Sequence, residues 1–129
     1  MLKIGELSAQ SGVPIKTIRY YEELGLLPSV GRTEGNYRLF VPQTLQRLAF
    51  IKRLQKLGLS LHQIKECLAI YDRGELPCPD LQHKLQGQVA QIDRQIAELL
   101  ALRSELVDIL AHWQPQPAPT AHICPNLSI

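Results

Sequence analysis

Aromatic side chains are scarce in this chain and make up only 5% of its 129 residues. Leucine, isoleucine and valine must therefore supply most of the core packing. Long apolar runs are also missing, since no segment approaches the ~20 apolar residues that a membrane-spanning helix needs. The N-terminus lacks the apolar region of a secretory signal. We therefore expect a cytoplasmic protein that makes no contact with a membrane.

Cysteine is rare as well, and its three residues are an odd number that does not fit a full set of disulfides. In a reducing compartment such cysteines are thiols or metal ligands rather than disulfide partners. Cys67 follows Leu61 and Ile64 at helical spacing, so we expect it to be a small core residue. Cys78 and Cys124 lie on either side of a long helical segment and are the candidates for metal chemistry.

The charge of the chain is unevenly distributed, although its formal net value is only +2. Residues 1–75 carry eleven Lys and Arg against seven Asp and Glu, which gives a net charge of +4. Residues 76–129 carry three against five, which gives −2. A basic N-terminal part suits a polyanion such as DNA. No nucleophile–base constellation or phosphate-binding loop is present in the sequence, so we do not expect an enzyme.

Two short apolar segments near the N-terminus are joined by a turn at Gly12 and Pro14. Glycine permits a positive φ and proline fits the first turn of a new helix, so the pattern predicts a helix-turn-helix. Ile15 and Ile18 are expected to face inward. The side chains expected to project towards phosphates and base edges are Lys16, Thr17, Arg19 and Tyr20. Taken alone, the pattern also fits two packed helices with a solvated basic face.

A hairpin is predicted between residues 30 and 41, where glycines separate short apolar strands. The side chains expected to contact the DNA backbone from this hairpin are Arg32, Asn36, Tyr37 and Arg38. A third helix follows Pro42, and Ser60 is a good N-cap for a fourth helix that extends to about Tyr71. The third helix carries a basic cluster that fits either a solvated face or further backbone contacts: Arg47, Lys52, Arg53 and Lys56.

The stretch from Cys78 to Trp113 has apolar residues spaced alternately four and three apart, with Arg103 interrupting one turn. The positions are Leu85, Val89, Ile92, Ile96, Leu99, Leu106, Leu110 and Trp113. This spacing is typical of a coiled-coil seam, and Asp80 is placed to cap the start of the helix. A helix of about 34 residues would be roughly 50 Å long, too long to be covered by the small remaining domain. We therefore expect a partner helix.

Several sequence motifs carry a resemblance to a known family. They are Ile4–Ser8 (IGELS), Thr17–Pro28 (TIRYYEELGLLP), Arg32, Asn36–Phe40 (NYRLF) and the helical stretch Leu48–Ile64. Together they resemble the DNA-binding domain of the mercury-resistance-regulator (MerR) family, and the likeness continues along the long helix to about Trp113. The resemblance implies a mainly α fold with a winged helix-turn-helix DNA-binding domain at residues 1–75. A linker and an antiparallel coiled-coil dimerisation helix would follow at 76–113, and an effector-binding loop and tail at 114–129.

The resemblance also implies a function. It predicts a homodimeric transcription regulator that binds double-stranded DNA at a palindromic promoter shared with RNA polymerase. Arrival of an effector would distort that promoter, whose deformation costs on the order of several kcal/mol. The projecting residues of the second helix are then assigned to the major groove. Those of the hairpin are assigned to wing and backbone contacts.

Cys78 and Cys124 lie at opposite ends of the long helix. An antiparallel dimer would therefore bring Cys78 of one subunit near Cys124 of the other, whereas a parallel dimer would pair each cysteine with its own copy. In the metal-sensing branch of the family, a cysteine before the dimer helix goes with divalent ions, and two more cysteines lie in the loop after it. Cys78 and Cys124 match two of these positions. The first loop cysteine is missing.

The resemblance thus implies a metal site made of Cys78 from the partner subunit and Cys124. His112 and His122 are further candidate ligands near the missing cysteine, together with Asp108. Two thiolates with a histidine or a carboxylate suit a divalent metal ion, zinc first, with cadmium, lead or mercury as alternatives.

Other interpretations of the C-terminal part stay open at this point. The two cysteines also fit a packing residue at the helix start and a chance thiol in the tail. A second interpretation is a sensor of the same fold that binds a small organic molecule, with Trp113, Leu127 and Ile129 lining its pocket. A third alternative is a DNA-binding protein without an effector.

Overall fold

The computed structural model describes residues 1–28, 31–32, 34–35 and 37–127. The chain divides into two compact units, Met1–Gln86 and Gly87–Ile129. The elements in chain order are β1 (Leu2–Lys3), α1 (Ile4–Ser11), α2 (Ile15–Glu23), β2 (Gly31–Arg32), β3 (Arg38–Phe40), α3 (Thr44–Lys56), α4 (Leu61–Asp72) and α5 (Cys78–Ala111), followed by a 3-10 turn at Pro125–Leu127. This confirms the predicted mainly α fold with a small sheet and a long C-terminal helix.

The turn between α1 and α2 depends on a left-handed glycine. Gly12 has a φ of 73°, and its backbone N–H donates to the Ser8 carbonyl to close the first helix. The Ser8 hydroxyl donates to the Val13 carbonyl at 2.6 Å, which fixes the entry into α2. Ile18 and Tyr21 are the buried residues of α2. The expectation that Ile15 faces inward was wrong, because Ile15 is the first helical residue and is 38% exposed.

The predicted hairpin is present as a pairing between β2 and β3, which run antiparallel with Gly31 opposite Leu39. Strand β1 adds to the other side of β3, with Leu2 opposite Phe40, so that β3 is the central strand. Phe40 is fully buried and joins this small sheet to the core. The sequence did not reveal β1, since two residues are too few to show an alternating pattern.

Helices α3 and α4 complete the core of the first unit. Leu48 and Ile51 on α3 are fully buried, as is Ile64 on α4. The predicted N-cap at Ser60 is confirmed: its hydroxyl accepts the Gln63 N–H at 3.1 Å, and the Gln63 side chain accepts the Ser60 N–H at 3.0 Å. This reciprocal pair satisfies two N–H groups that the start of a helix leaves unpaired. Cys67 is fully buried, as the spacing predicted.

Helix α5 contains 34 residues and none of them is buried in the single chain. The helix begins at Cys78, so Asp80 lies inside its first turn and does not cap it, contrary to the expectation from sequence. It ends at Ala111, two residues before Trp113. The seam residues from Val89 to Leu110 are exposed to between 48% and 66%. Among the described residues, no helix is long and apolar enough to cross a membrane.

Part of the basic cluster on α3 is turned inward. The Arg47 Nε donates to the carbonyl of the buried Leu26 at 2.6 Å, and its two terminal nitrogens bind the Asp72 carboxylate at 2.6 and 2.9 Å. Lys52 Nζ lies 3.4 Å from the Ser11 carbonyl at the end of α1. Arg47 thus ties the segment after α2 to the last residue of α4, which is a structural use of its charge.

Replacing Arg47 with methionine would keep its aliphatic stem and remove its hydrogen bonds to Leu26 and Asp72. Because a hydrogen bond to a charged group makes a net contribution to stability, we expect the free energy of unfolding to fall by about 2 kcal/mol. Arg53→Met, at an exposed site on the same helix, should change it by less than about 0.5 kcal/mol. Urea unfolding measures both values, and equal effects would contradict the role given to Arg47.

The same contact makes stability depend on pH. Hydrogen bonds from Arg47 hold the pKa of Asp72 below its ordinary value. A carboxylate with a lowered folded-state pKa stabilises the fold above its unfolded-state pKa, and this contribution is lost as pH falls through the folded-state pKa. The stability difference between wild type and Asp72→Asn should therefore be largest near neutral pH and shrink in acid. A constant difference would argue against the ion pair.

Candidate nucleic-acid interface and metal ligands

The outward face of α2 presents three of the four side chains that were predicted to read DNA. Lys16, Arg19 and Tyr20 are exposed, whereas Thr17 is half-buried. The opposite face is fixed by Tyr21, whose hydroxyl donates to Gln55 Oε1 at 2.6 Å. Burial raises the pKa of Tyr21, so the hydroxyl keeps its proton and remains a donor. The helix is therefore held by its inner face while its basic side points to solvent.

The wing contributes a second group of predicted residues. Arg32 on β2 and Tyr37 just before β3 are exposed. Lys3 Nζ lies 5.5 Å from the centroid of the Tyr37 ring, within the range of a cation–π contact. Asn36, which was also predicted to contact DNA, lies outside the described residues.

Arg38 on β3 is only half-buried and forms an ion pair with Glu22 of α2. The Glu22 side chain is 14% exposed, and its Oε2 is buried without a hydrogen-bond partner among the described residues. Arg38 is thus the counter-charge for a carboxylate that water scarcely reaches. Glu22 was not singled out from the sequence, where it is one acidic residue in a helix. The ion pair attaches the base of the wing to the recognition helix.

The C-terminal tail forms a loop that is closed by one side chain. Asn126 Oδ1 accepts the Gln114 N–H at 2.8 Å, and Asn126 Nδ2 donates to the Gln114 carbonyl at 2.8 Å. Cys124 is half-buried in this loop, and its carbonyl accepts the Leu127 N–H at 3.1 Å. The loop surrounds an open hollow of about 430 Å³. Asn126 therefore keeps the Cys124 loop close to Gln114, three residues after the end of α5.

The predicted nitrogen ligands are both exposed in the second unit. His112 Nδ1 lies 2.8 Å from the Asp108 carbonyl at the end of α5, which leaves Nε2 available to a metal. The His122 N–H donates to the Thr120 hydroxyl at 3.2 Å, which orders the backbone two residues before Cys124. Cys78 is exposed at the start of α5. Within the described part of one chain, no three His, Cys, Asp or Glu side chains come together as a metal site.

The three residues suggested for an organic-ligand pocket are only partly assembled. Trp113 borders the hollow of the tail loop and is 46% exposed. Leu127 is also exposed, while Ile129 lies outside the described residues. The structure thus provides no specific support for that alternative.

The described residues combine three features: a two-helix turn with an exposed basic face, a wing attached to that turn by an ion pair, and a long helix with an uncovered apolar seam. Together these features define a class of proteins, the winged helix-turn-helix DNA-binding proteins that pair through a helix. The sequence profile of the MerR HTH family of regulatory proteins matches residues 2–69, and the profile named MerR, DNA binding matches residues 45–109. The chain belongs to the MerR family of transcription regulators. This confirms the family inferred from the sequence motifs.

Relatives and solved structures extend the comparison to the tail. The chain is 43% identical over 107 residues to a mercuric resistance operon regulatory protein of Bacillus cereus, which covers 83% of this chain and 81% of that protein. It is 32% identical over 127 residues to heavy metal-dependent transcription regulator 2 of Rhizobium meliloti, and the match covers 98% of this chain and 86% of that protein. The crystal structure of PbrR691 from Ralstonia metallidurans in complex with lead(II) matches with a TM-score of 0.78 and 37% identity. The match covers 96% of this chain and 94% of that chain.

Membership in the family settles the general activity. Regulators of this family bind promoter DNA as homodimers and act with RNA polymerase, so the chain regulates transcription and is not an enzyme. The expected DNA partner and the expected pairing of two copies are thereby confirmed. The individual contact residues and the predicted domain boundaries at 75 and 113 remain predictions.

Proposed function

We propose that this chain is a metal-responsive regulator whose dimer distorts its promoter when a divalent ion binds at the ends of the paired α5 helices. The observation that carries the proposal is the position of Cys78 and Cys124 at opposite ends of a helix with an exposed seam. The names of the relatives, which refer to mercury, heavy metals and lead, support a metal effector. The cytoplasm is the compartment that suits a DNA-binding role.

The geometry favours a site shared by two subunits. A helix of 34 residues is about 50 Å long at ~1.5 Å per residue. The hydrogen bonds of Asn126 keep Cys124 near the C-terminal end of that helix, while Cys78 starts it. Antiparallel pairing would place Cys78 of the partner subunit beside Cys124, and two-fold symmetry would repeat the site.

The donor set supports zinc as the first choice of ion. Two thiolates from Cys78 and Cys124 with an imidazole from His122 or His112 make a mixed sulfur and nitrogen set, which zinc accepts in tetrahedral geometry. Cadmium, lead and mercury share the affinity for thiolate and are the alternatives. When bound, the ion would supply only a crosslink between subunits. The protein's residues convert that crosslink into a change at the DNA-binding units.

The DNA-facing part of the proposal assigns the exposed side chains of α2 to the major groove. Lys16, Arg19 and Tyr20 would reach phosphates and base edges from this face, with Thr17 beside them. Arg32, Tyr37 and Arg38 would hold the backbone from the wing, and Asn36 is kept from the sequence alone. A dimer with two arrangements of these units can bias the shape of a palindromic operator, because bending or untwisting it costs on the order of several kcal/mol.

Arg38 should have two roles that can be separated by mutation. Arg38→Ala leaves Glu22 buried without its counter-charge, so we expect both operator affinity and the free energy of unfolding to fall, the latter by about 2 kcal/mol. Adding Glu22→Gln should restore most of the stability, because the carboxylate is then neutral, but not the operator affinity. Urea unfolding and fluorescence anisotropy at matched salt measure the two quantities.

Arg19→Ala is the matched control, since Arg19 is exposed on the same helix as Glu22. It should weaken operator binding and lower the salt slope by about 1, while stability changes by less than about 0.5 kcal/mol. Unchanged affinity for both Arg19→Ala and Arg38→Ala would contradict the assignment of this face to DNA.

The metal site is tested by titrating zinc into the reduced dimer. Wild type should bind one ion per chain, and Cys78→Ser or Cys124→Ser should each lower zinc affinity by at least about tenfold, because each removes a thiolate ligand. Metal-dependent transcription should fall in parallel, and cadmium and lead can be titrated in the same way.

His62→Gln serves as the control, because this histidine is strongly exposed on α4 and is not a candidate ligand. It should bind zinc as wild type does. If neither cysteine variant differs from His62→Gln in stoichiometry, affinity or metal-dependent transcription, the metal-sensing proposal fails and an effector-free regulator becomes the better description.

A further inference from the structure

The first turn of α5 is attached to α4 by a polar contact that the proposed metal site does not use. The Cys67 thiol of α4 lies 3.4 Å from Asp80 Oδ2. Lys84, one turn further along α5, reaches the same oxygen with Nζ at 2.5 Å. A second carboxylate, that of Glu66 on α4, lies 3.7 Å from Lys84 Nζ. One carboxylate oxygen therefore joins the two helices.

The cluster is partly sheltered from water. Cys67 is fully buried and the Lys84 side chain is 10% exposed, whereas the side chains of Asp80 and Glu66 are 35% and 52% exposed. Leu81 and Leu85 pack beside it against the core of the first unit. In such surroundings a hydrogen bond to a charged group is stronger than at an open surface, and the loss of one partner leaves the other unsatisfied. The contact is therefore suited to fixing one arrangement of the two helices.

Cys78 belongs to the same turn as Asp80. The Leu81 N–H donates to the Pro77 carbonyl at 2.8 Å, so the turn is closed from residue 77 to residue 81 with Cys78 inside it. Apolar contacts such as those of Leu81 tolerate small displacements, whereas a hydrogen-bonded carboxylate has a preferred direction. Any displacement of Cys78 relative to α4 must therefore strain or break the bonds to Asp80.

We propose that Asp80 is a positioning residue that holds the turn containing Cys78 on α4, so that a metal ion pulling on Cys78 moves the DNA-binding unit with it. This inference rests on the proposed metal site, but it names a residue that would not itself touch the ion. Without Asp80, Cys78 would lose the fixed position that ion binding needs, and a bound ion would displace the first turn of α5 without moving α4. Metal binding would then become weaker and would no longer control transcription.

The anchor itself is tested in the metal-free dimer by hydrogen exchange. Asp80→Ala should speed exchange of the amides in the first turns of α5 by at least about fivefold, although alanine is the better helix former. Asp80→Asn keeps an acceptor and should lie between wild type and Asp80→Ala. Asp93→Ala, at an exposed site further along the same helix, should not change these amides. Unchanged amide exchange in Asp80→Ala would overturn the anchoring role of Asp80, whatever the zinc titration shows.

The positioning role is tested with zinc and operator DNA. Asp80→Ala should lower zinc affinity by about tenfold, as outer-shell changes at metal sites do, and should abolish most metal-dependent transcription. Its metal-free operator affinity should stay within about twofold of wild type. Unchanged zinc affinity and induction despite faster exchange would overturn the role. Equal losses of operator affinity and metal response would also overturn it, because they would indicate a general loss of stability.

The two proposals fail in different ways. If wild type and Cys78→Ser bind zinc alike, the metal site and the transmission through Asp80 fall together. The exchange result still decides whether Asp80 anchors the helix. If Cys78→Ser loses zinc while Asp80→Ala keeps it, the metal site stands and only the positioning role is rejected.

Discussion

The exposed apolar seam of α5 is the constraint on which the rest of the molecule depends. Its leucine, isoleucine and valine side chains are about half exposed or more in the single chain. Covering them with a second copy would contribute on the order of 10 kcal/mol before the cost of association. A symmetric pair then follows, and it carries two DNA-binding units. Every proposed feature of the sensor derives from that pairing, because it also decides which ends of the two helices meet.

The DNA-binding unit depends in turn on charged side chains directed inward. Arg47 connects the segment after α2 to the end of α4, and Arg38 neutralises Glu22 at the base of the wing. A small unit gains definition from such contacts, because each has a preferred geometry that apolar packing lacks. The proposed DNA contacts would use Arg38 a second time, so we expect stability and recognition to be coupled at Arg38 and separate at Arg19.

Much of this could be predicted from the sequence because the signals are local or periodic. The seam, the glycine turn at Gly12 and the capping serine at Ser60 all follow from residues close together in the chain. The partners of Arg47, Arg38 and Asp80 could not be predicted, because they lie on other elements and only the fold brings them together. The prediction for Ile15 was wrong because this residue lies at a helix start, where position outweighs periodicity. Strand β1 was missed because it is too short to show a pattern. The metal ligands remain predicted, since they would come from two chains.

The shared metal site is tested most directly with dimers assembled from two different chains. If each site takes Cys78 of one subunit and Cys124 of the other, a dimer of a Cys78→Ser chain with a Cys124→Ser chain keeps one complete pair of cysteines. A dimer of wild type with the double variant Cys78→Ser, Cys124→Ser keeps none. Zinc titration of purified mixed dimers should therefore find one high-affinity ion in the first and none in the second. The reverse result would show that each chain builds its own site, and it would contradict a site shared by two subunits.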